Sequence, residues 1–249
     1  MRLLAGEINP QHGSIQINGI APKDAADNIG ISLTAPRALP LQTPSQLLSN
    51  LLSRRDVPAS QRPSRVTDAL EATGLFDARD RAIRELSENQ RIALSIASAI
   101  APRPPAILID GHIDRLDDPT KHRLDQRLAE RRRDEGLCVI EATNDHHRAE
   151  RADRVLVMNR GEAIAFDSPS ALLARYAPDT LIIETTAPEQ LESAVKEFAS
   201  VEFTRTATGF RIRVQDGVDF AAHLLRKACG IREIIVTPAT LWELLRKRD

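Results

Sequence analysis

Residues 105–110 read PAILID, an unbroken apolar run that opens on proline and ends on a carboxylate. Successive side chains of a strand point to opposite faces, so a half-solvated strand alternates apolar and polar residues. A strand that is apolar at every position is covered on both faces, as happens inside a parallel sheet flanked by helices. A second such run, LCVIEA, occupies residues 137–142, and a charged helical stretch at 120–133 separates the two. Strand, helix, strand is the parallel crossover unit, which restricts the first part of the chain to an α/β architecture. Cys138, inside the second run, is expected to be a buried core thiol.

The rest of the chain supplies partners for that sheet. Apolar residues recur at helical spacing in residues 45–52, 64–75 and 92–100, with Pro58 and Pro63 interrupting between the first two. Residues 155–158 and 162–166 are expected strands joined by Asn159, Arg160 and Gly161. At the start, residues 1–6 (MRLLAG) resemble the tail of a helix without its cap or first turn. Residues 14–20 (SIQINGI) alternate and contain Asn-Gly, which predicts a short strand and a turn.

The pattern changes after Tyr176. Expected strands at 180–186, 201–205, 210–214 and 231–236 interleave with expected helices at 188–198 and 218–229, and a closing helix is expected at 239–248. The order β-α-β-β-α-β is that of a ferredoxin-like unit. Ile182, Ile212, Val214, Ile234 and Val236 are its expected core. The expected domains are therefore 1–176 and a small α+β domain, 177–249.

Composition excludes several classes of function. The net charge is -1 and aromatic residues make up 3%, which leaves neither the positive excess nor the stacking platforms that nucleic acid requires. Two cysteines without metal-ligand spacing suggest a reducing compartment. No run of apolar residues is long enough to span a bilayer.

Four segments, in order, carry a resemblance to a known family. RLLAGEINPQHGSIQINGI is similar to the stretch that follows the phosphate-binding loop of ABC ATPases. LSENQRIALSIASAI, residues 86–100, resembles the signature segment that usually reads LSGGQ and runs into a helix. PAILIDGHIDRLDD resembles the Walker B strand and its following loop, and EATNDHHRAERADRVLVMNRGEAIAFDSP the switch-histidine region. The resemblance implies an incomplete ABC-ATPase core of the P-loop NTPase type, with a helical subdomain at about 44–100. It also implies ATP and Mg²⁺ as cofactors, an integral membrane transporter subunit and a second ABC ATPase domain as partners, and a cytoplasmic location, peripheral on the inner membrane face through that partner.

Taken residue by residue, the resemblance implies an impaired site. The glycine-rich loop and lysine that cradle phosphates in this family have no counterpart in the sequence. Asp110 matches the aspartate that positions magnesium. Gly111 stands where the family has the glutamate that polarises water, a group worth roughly 10²–10⁴ in rate. Asn144 stands at the switch histidine and Thr34 at the glutamine that links the metal site to the membrane subunit. Ser87 and Gln90 of the signature remain, while Glu88 and Asn89 replace two glycines, which puts bulk and negative charge beside a phosphate. Asp117 matches the loop aspartate that follows Walker B. Nucleotide contacts are thus expected from Ser87, Glu88, Asn89, Gln90, Asp117 and Thr34, metal contact from Asp110, and intact catalytic residues nowhere.

Plainer roles compete for several of these residues. Asp110 could end a strand, and Asp117 could cap the helix after it. His146, His147 and Glu150 lack a further convergent ligand and suit a solvated helix start. Arg131, Arg132 and Arg133 are expected on a solvated face beside Asp134 and Glu135, and Trp242 as an anchor of the closing helix. A C-terminal extension is common among the family's exporters. The expected function is a degenerate nucleotide-binding subunit of an ABC transporter, with export as the expected direction and weak or partner-dependent ATP binding; a pseudo-ATPase scaffold or regulatory protein is the alternative. A non-transport member acting in translation or repair fits the near-neutral charge poorly. The intact apolar strand at 107–109 beside a missing phosphate loop is expected to mean a misplaced start or a fragment of a longer gene.

Overall fold

The structure is a computed structural model, and it describes residues 1–25, 28–33, 41–111, 113–176, 178–198, 201–227 and 229–241. The chain divides into two compact units, Met1–Asn144 and Asp145–Asp249.

In the first unit, β1 (Ile29–Ser32), β2 (Ala106–Asp110) and β3 (Cys138–Ala142) form a parallel sheet in the order β1-β2-β3. Ile31, Leu108 and Ile140 lie in one row across it, Ser32, Ile109 and Glu141 in the next. The helices are α1 (Pro44–Arg54), α2 (Arg62–Ala72), α3 (Glu88–Ile100) and α4 (Asp118–Glu135). Ile107 and Ile109 point into the main cluster with Leu94, Ile96, Leu124 and the leucines of α1 and α2. Leu108 points the other way, into a smaller cluster with Ala25 and Ile29, against which Met1, Leu4 and Ile17 pack. All three residues are at most 1% exposed, which is the two-sided burial that the PAILID run requires.

The second apolar run behaves differently. β3 pairs only with β2 among the described strands, and Val139 alone of its apolar residues joins the main cluster. Cys138 is exposed and Ile140 is 37% exposed, so Cys138 is not the buried thiol expected from its neighbours. Edge position, which a run of letters does not reveal, makes the difference. A second correction concerns Arg131, which is buried rather than solvated. It donates to the carbonyls of Pro104 at 3.2 Å and Ile100 at 3.4 Å and pairs with Glu135 at 2.8 Å. Arg133 does remain at the surface, paired with Asp134.

β1 escaped notice in the sequence because it is only four residues long. It is held by a close approach to α3. A Cβ on Gly30 would stand 2.1 Å from the carbonyl oxygen of Ala99, a backbone atom that cannot swing aside. Two residues on, the buried hydroxyls of Ser32 and Ser95 meet at 2.9 Å. At the N-terminus, residues 14–20 form only an isolated bridge between Ile17 and Ile20, not the expected strand.

The second unit begins with a short helix, α5 (His146–Ala149), a hairpin of β4 (Val155–Asn159) and β5 (Glu162–Asp167), and α6 (Pro169–Tyr176). Val157, Leu172 and Leu241 form their own cluster with Val155, Ile164 and Leu173. A four-stranded antiparallel sheet follows, built from β6 (Asp179–Thr185), β7 (Glu202–Arg205), β8 (Gly209–Val214) and β9 (Ile231–Thr237) in the order β7-β8-β6-β9. With α7 (Pro188–Lys196) and α8 (Gly217–Arg226) as crossovers, this is the ferredoxin-like arrangement. Ile212 is fully buried, and Val214, Ile234 and Val236 pack on the same cluster. Ile182 does not. Leu181 and Ile183 face the helices, and Ile182 lies on the other side of β6 between Arg211 and Ile235. With a side-chain period of two, assigning the wrong member of LII moves it to the opposite face. The closing helix and Trp242 fall outside the described residues.

Gly30→Ala should destabilise the first unit by about 1–3 kcal/mol, since neither β1 nor α3 can move without opening the core. Chemical denaturation of the full chain measures the loss, which reports the contact, since Gly30 lies in a strand without a left-handed backbone angle; Gly13→Ala, with φ +75 and nothing within 4 Å of the added atom, reports backbone strain without contact.

Candidate functional site

The carboxyl ends of the parallel strands are where ligands of open α/β sheets bind, because loops and helix N-termini converge there. Here that edge carries Asp110, at the last position of β2, and Gly111 immediately after it. The Gly111 N–H donates to the Ala142 carbonyl at 2.8 Å, adding one rung beyond the strand ends. Gly111 has φ +62 and open space where a side chain would stand. Asn144, two residues past β3, is exposed at the same end of the sheet. Between them Thr143 donates to both carboxylate oxygens of Asp114, at 3.0 and 2.9 Å. This pair has no signal in the order of residues; the pairing of β2 with β3 brings the two together.

The Ser87–Gln90 segment forms the start of α3. The Ser87 hydroxyl accepts from the Gln90 N–H at 3.2 Å, and the Gln90 side chain accepts from the Ser87 N–H at 3.0 Å. This is a capping box, which satisfies two backbone donors that an isolated helix end leaves open. Glu88 and Asn89 are exposed in the first turn. Glu88 meets Arg115, from the turn after Gly111, at 2.6 Å. Both side chains are more than half exposed, so the pair contributes little to stability, although it offsets the charge of Glu88. Asp117 caps α4, accepting from the Thr120 N–H at 2.8 Å. That backbone hydrogen bond is the main reason its carboxyl is held below the ordinary value.

The structure thus brings Asp110, Gly111, Glu88 and Asn144 to one unit, and gives Ser87, Gln90 and Asp117 capping work that needs no nucleotide. Thr34 lies outside the described residues. Tested against Mg²⁺ and ATP, the donor set is thin: Asp110 is a single carboxylate at a strand end, and the sequence has no G-x-x-x-x-G-K-[ST] segment. His147 stands 3.9 Å from Glu150, whose other oxygen accepts from the Leu241 N–H, and no cluster of three or more metal-ligating side chains occurs among the described residues.

Comparison with known proteins agrees with the sheet and helix order. Residues 1–113 match the family model described as ABC transporter. The chain is 32% identical over 124 residues to an energy-coupling factor transporter ATP-binding protein of Streptococcus thermophilus, covering 50% of this chain and 45% of that one. It is 30% identical over 175 residues to the protein of the same description from Mycoplasma pneumoniae, covering 68% and 63%. A spermidine/putrescine import ATP-binding protein of Thermobifida fusca is 27% identical over 177 residues, covering 69% and 46%. The chain spans less than half the length of the Streptococcus and Thermobifida proteins. Among solved structures, a dimeric ATP-binding cassette in a post-hydrolysis state with ADP and Pi aligns with TM-score 0.61 at 22% identity, over 67% of this chain and 78% of that one. The ATP-binding subunit of an ABC transporter aligns with TM-score 0.62 at 19% identity, over 69% and 73%. The fold is therefore that of the ABC ATPases, and the likeness in sequence is to the ABC transporter ATP-binding domain.

Removing the α4 cap tests the structural role of Asp117. Asp117→Ala should cost about 1 kcal/mol in denaturant unfolding, and Asp117→Asn less. Because its carboxyl is held low in the folded chain, the contribution is complete at neutral pH. It declines as pH falls below the ordinary carboxylate value and is gone once pH is under the lowered folded value. The stability gap between wild type and Asp117→Ala, measured down the acid range, should close in that window.

Proposed function

We propose that this chain serves as a nucleotide-binding subunit of an ABC-type membrane transporter, with its own hydrolytic residues altered, working beside a membrane subunit and a second ATPase domain. The observation that carries the reading is the Asp110-Gly111 step at the carboxyl end of β2. It lies in a unit with the ABC ATPase fold, and Gly111, where the sequence resemblance implies the water-polarising group, has no side chain. Glycine can neither accept a proton nor orient water, and Asn144 can donate a hydrogen bond but carries no charge. Ser87 and Gln90 are committed to the α3 cap, and Glu88 adds a carboxylate where a phosphate would approach. Binding of Mg-ATP by this chain alone is accordingly weak, and a competent composite site would need a partner's phosphate cradle facing Ser87.

The membrane subunit would dock on the helical part, residues 41–75. Leu41 is 69% exposed, and Leu47 and Leu51 of α1 are half-buried above the buried Leu48 and Leu52. No helix among the described residues is long and apolar enough to cross a membrane, so contact with a bilayer on the cytoplasmic face would go through that subunit. Residues 177–249 act as a separate ferredoxin-like domain in this reading. Export rests on the presence of that extension alone. The Thermobifida relative is described as an import protein, and import is therefore the direction we adopt. A pseudo-ATPase scaffold has the same site in its favour and differs in having no membrane subunit.

The purified chain should show no ATP turnover above a no-enzyme control and no saturable Mg-ATP binding at micromolar concentration. Turnover that Asp110→Asn abolishes would overturn the reading of the site. Co-purification of a membrane protein that is lost on Leu41→Glu, with circular dichroism unchanged, separates a transporter subunit from a scaffold.

A further inference from the structure

The two faces of the three-stranded sheet are covered by different means. On one side the helices lock Ile107 and Ile109 into the main cluster. On the other, Leu108, Ile29 and Ala25 lie under Met1, Leu4, Ala5 and Ile17, from a stretch of chain with neither helix nor strand. The three covered residues are at most 1% exposed, yet no residue of 1–20 is itself buried. The cover is thin, and residues 7–14 in its middle are all exposed.

Polar contacts do not tie this cover down. Its backbone hydrogen bonds are internal: Ala5 donates to Met1, Gly6 to Leu3 and Glu7 to Arg2, while Ile17 and Ile20 bond reciprocally. The ion pair of Arg2 with Glu7 is internal as well. Among the described residues no hydrogen bond or ion pair joins residues 1–20 to the rest of the chain. Shape positions it instead. Gly6, at φ +71, lies against the backbone of Pro22 and Lys23, where an added Cβ would stand 2.7 Å from the Lys23 nitrogen and 2.9 Å from the Pro22 carbonyl carbon. That seat is a turn of 3-10 helix, Pro22–Asp24, which leads directly into the buried Ala25.

We infer that residues 1–20 are a strap, which lifts from the sheet as one piece without unfolding of the unit and uncovers an apolar row beneath. Local opening is governed by what must be given up, and segments with few buried apolar contacts open far below the global limit. Lifting the strap gives up the contacts of half-buried side chains, whereas opening the sheet breaks its ladder and the main cluster together. The strap moves as one piece because Leu4 and Ala5 near one end and Ile17 near the other rest on the same three buried residues. Freeing either end removes packing on which the other depends. The uncovered row is Ile31, Leu108 and Ile140, side by side across the three strands. Ile140 is already 37% exposed at the edge, so lifting extends the exposed row to the centre of the sheet. Asp110, two residues beyond Leu108, projects to the same face, so the strap lies on the side to which that carboxylate points.

Native-state hydrogen exchange of the full chain, without nucleotide, tests this independently of the ATP site. The amides of Ala5, Gly6 and Glu7 at one end and of Ile17 and Ile20 at the other should exchange through one common opening, about tenfold or more faster than those of β2. Gly6→Ala should speed exchange at Ile17 and Ile20 about tenfold, the scale of a left-handed alanine pressed on a backbone. It should also raise binding of the apolar dye ANS while circular dichroism stays unchanged. Gly13→Ala, equally left-handed but with nothing within 4 Å, should leave dye binding at the wild-type level. Ile17→Ser, which loosens the other end, should speed exchange at Ala5, Gly6 and Glu7 by a similar factor. Three results would each overturn the proposal: protection in residues 1–20 that is lost only on global unfolding, effects confined to the substituted end, or dye binding no higher in Gly6→Ala than in Gly13→Ala.

Discussion

The contact between Gly30 and the backbone of Ala99 sets the geometry of the first unit. A four-residue strand has little pairing of its own, and β1 keeps its place because α3 lies directly on it with no side chain between. That seat fixes α3, and α3 fixes the rest. Its buried face, from Ile92 to Ile100, holds α1 and α2 on one side and the underside of β2 on the other. Its N-terminus then presents Ser87, Glu88 and Asn89 at the surface, close enough to the turn after Gly111 for Glu88 to reach Arg115. The position of the signature-like segment therefore follows from packing at the opposite end of the same helix.

Helix capping gives the polar residues of the signature-like segment and of the loop after β2 a role in the fold itself. Ser87 and Gln90 bond reciprocally with each other's backbone, and Asp117 satisfies a backbone donor of α4. These interactions stabilise helix ends by about 1 kcal/mol each whether or not a phosphate is ever present. Glu88 and Asn89, exposed in the first turn of α3, cap nothing, and Gly111 is tied to the fold through its backbone alone, its N–H donating to the Ala142 carbonyl. Folding alone makes use of Ser87, Gln90 and Asp117, so their presence argues for the fold more than for catalysis.

What the sequence disclosed, and what it hid, divide along physical lines. Periodicity over a full helix and an unbroken apolar strand are local signals, so α1 to α4, β2 and the order of the C-terminal elements were legible. Edge status is not local. LCVIEA resembles PAILID in composition, yet one is central and the other has an open side, and Cys138 and Ile140 are exposed as a result. Register within LII was equally hidden, since three consecutive apolar residues do not say which of them face the helices. Arg131 sits in a run of arginines, and only the fold shows that its guanidinium is needed by the carbonyls of Ile100 and Pro104, where the chain leaves α3 for β2. For the site, the motifs placed Asp110 and Gly111 correctly at a strand end, while the Thr143–Asp114 pair required knowing that β3 lies beside β2.

Gly111 is distinctive in its backbone as well as in having no side chain. Its φ of +62 is a left-handed conformation, which glycine adopts freely and a glutamate only under strain. The N–H at this position is also fixed, since it donates to Ala142 and ties the turn to β3. A side chain placed here would have space, with nothing within 4 Å of its Cβ, but it would have to hold a strained backbone or release that hydrogen bond. The turn after β2 is thus adapted to glycine in its dihedral angle as well as in its chemistry. A glutamate at position 111 would therefore meet its obstacle in the backbone and not in its surroundings, at a cost of about 1–2 kcal/mol for the left-handed conformation.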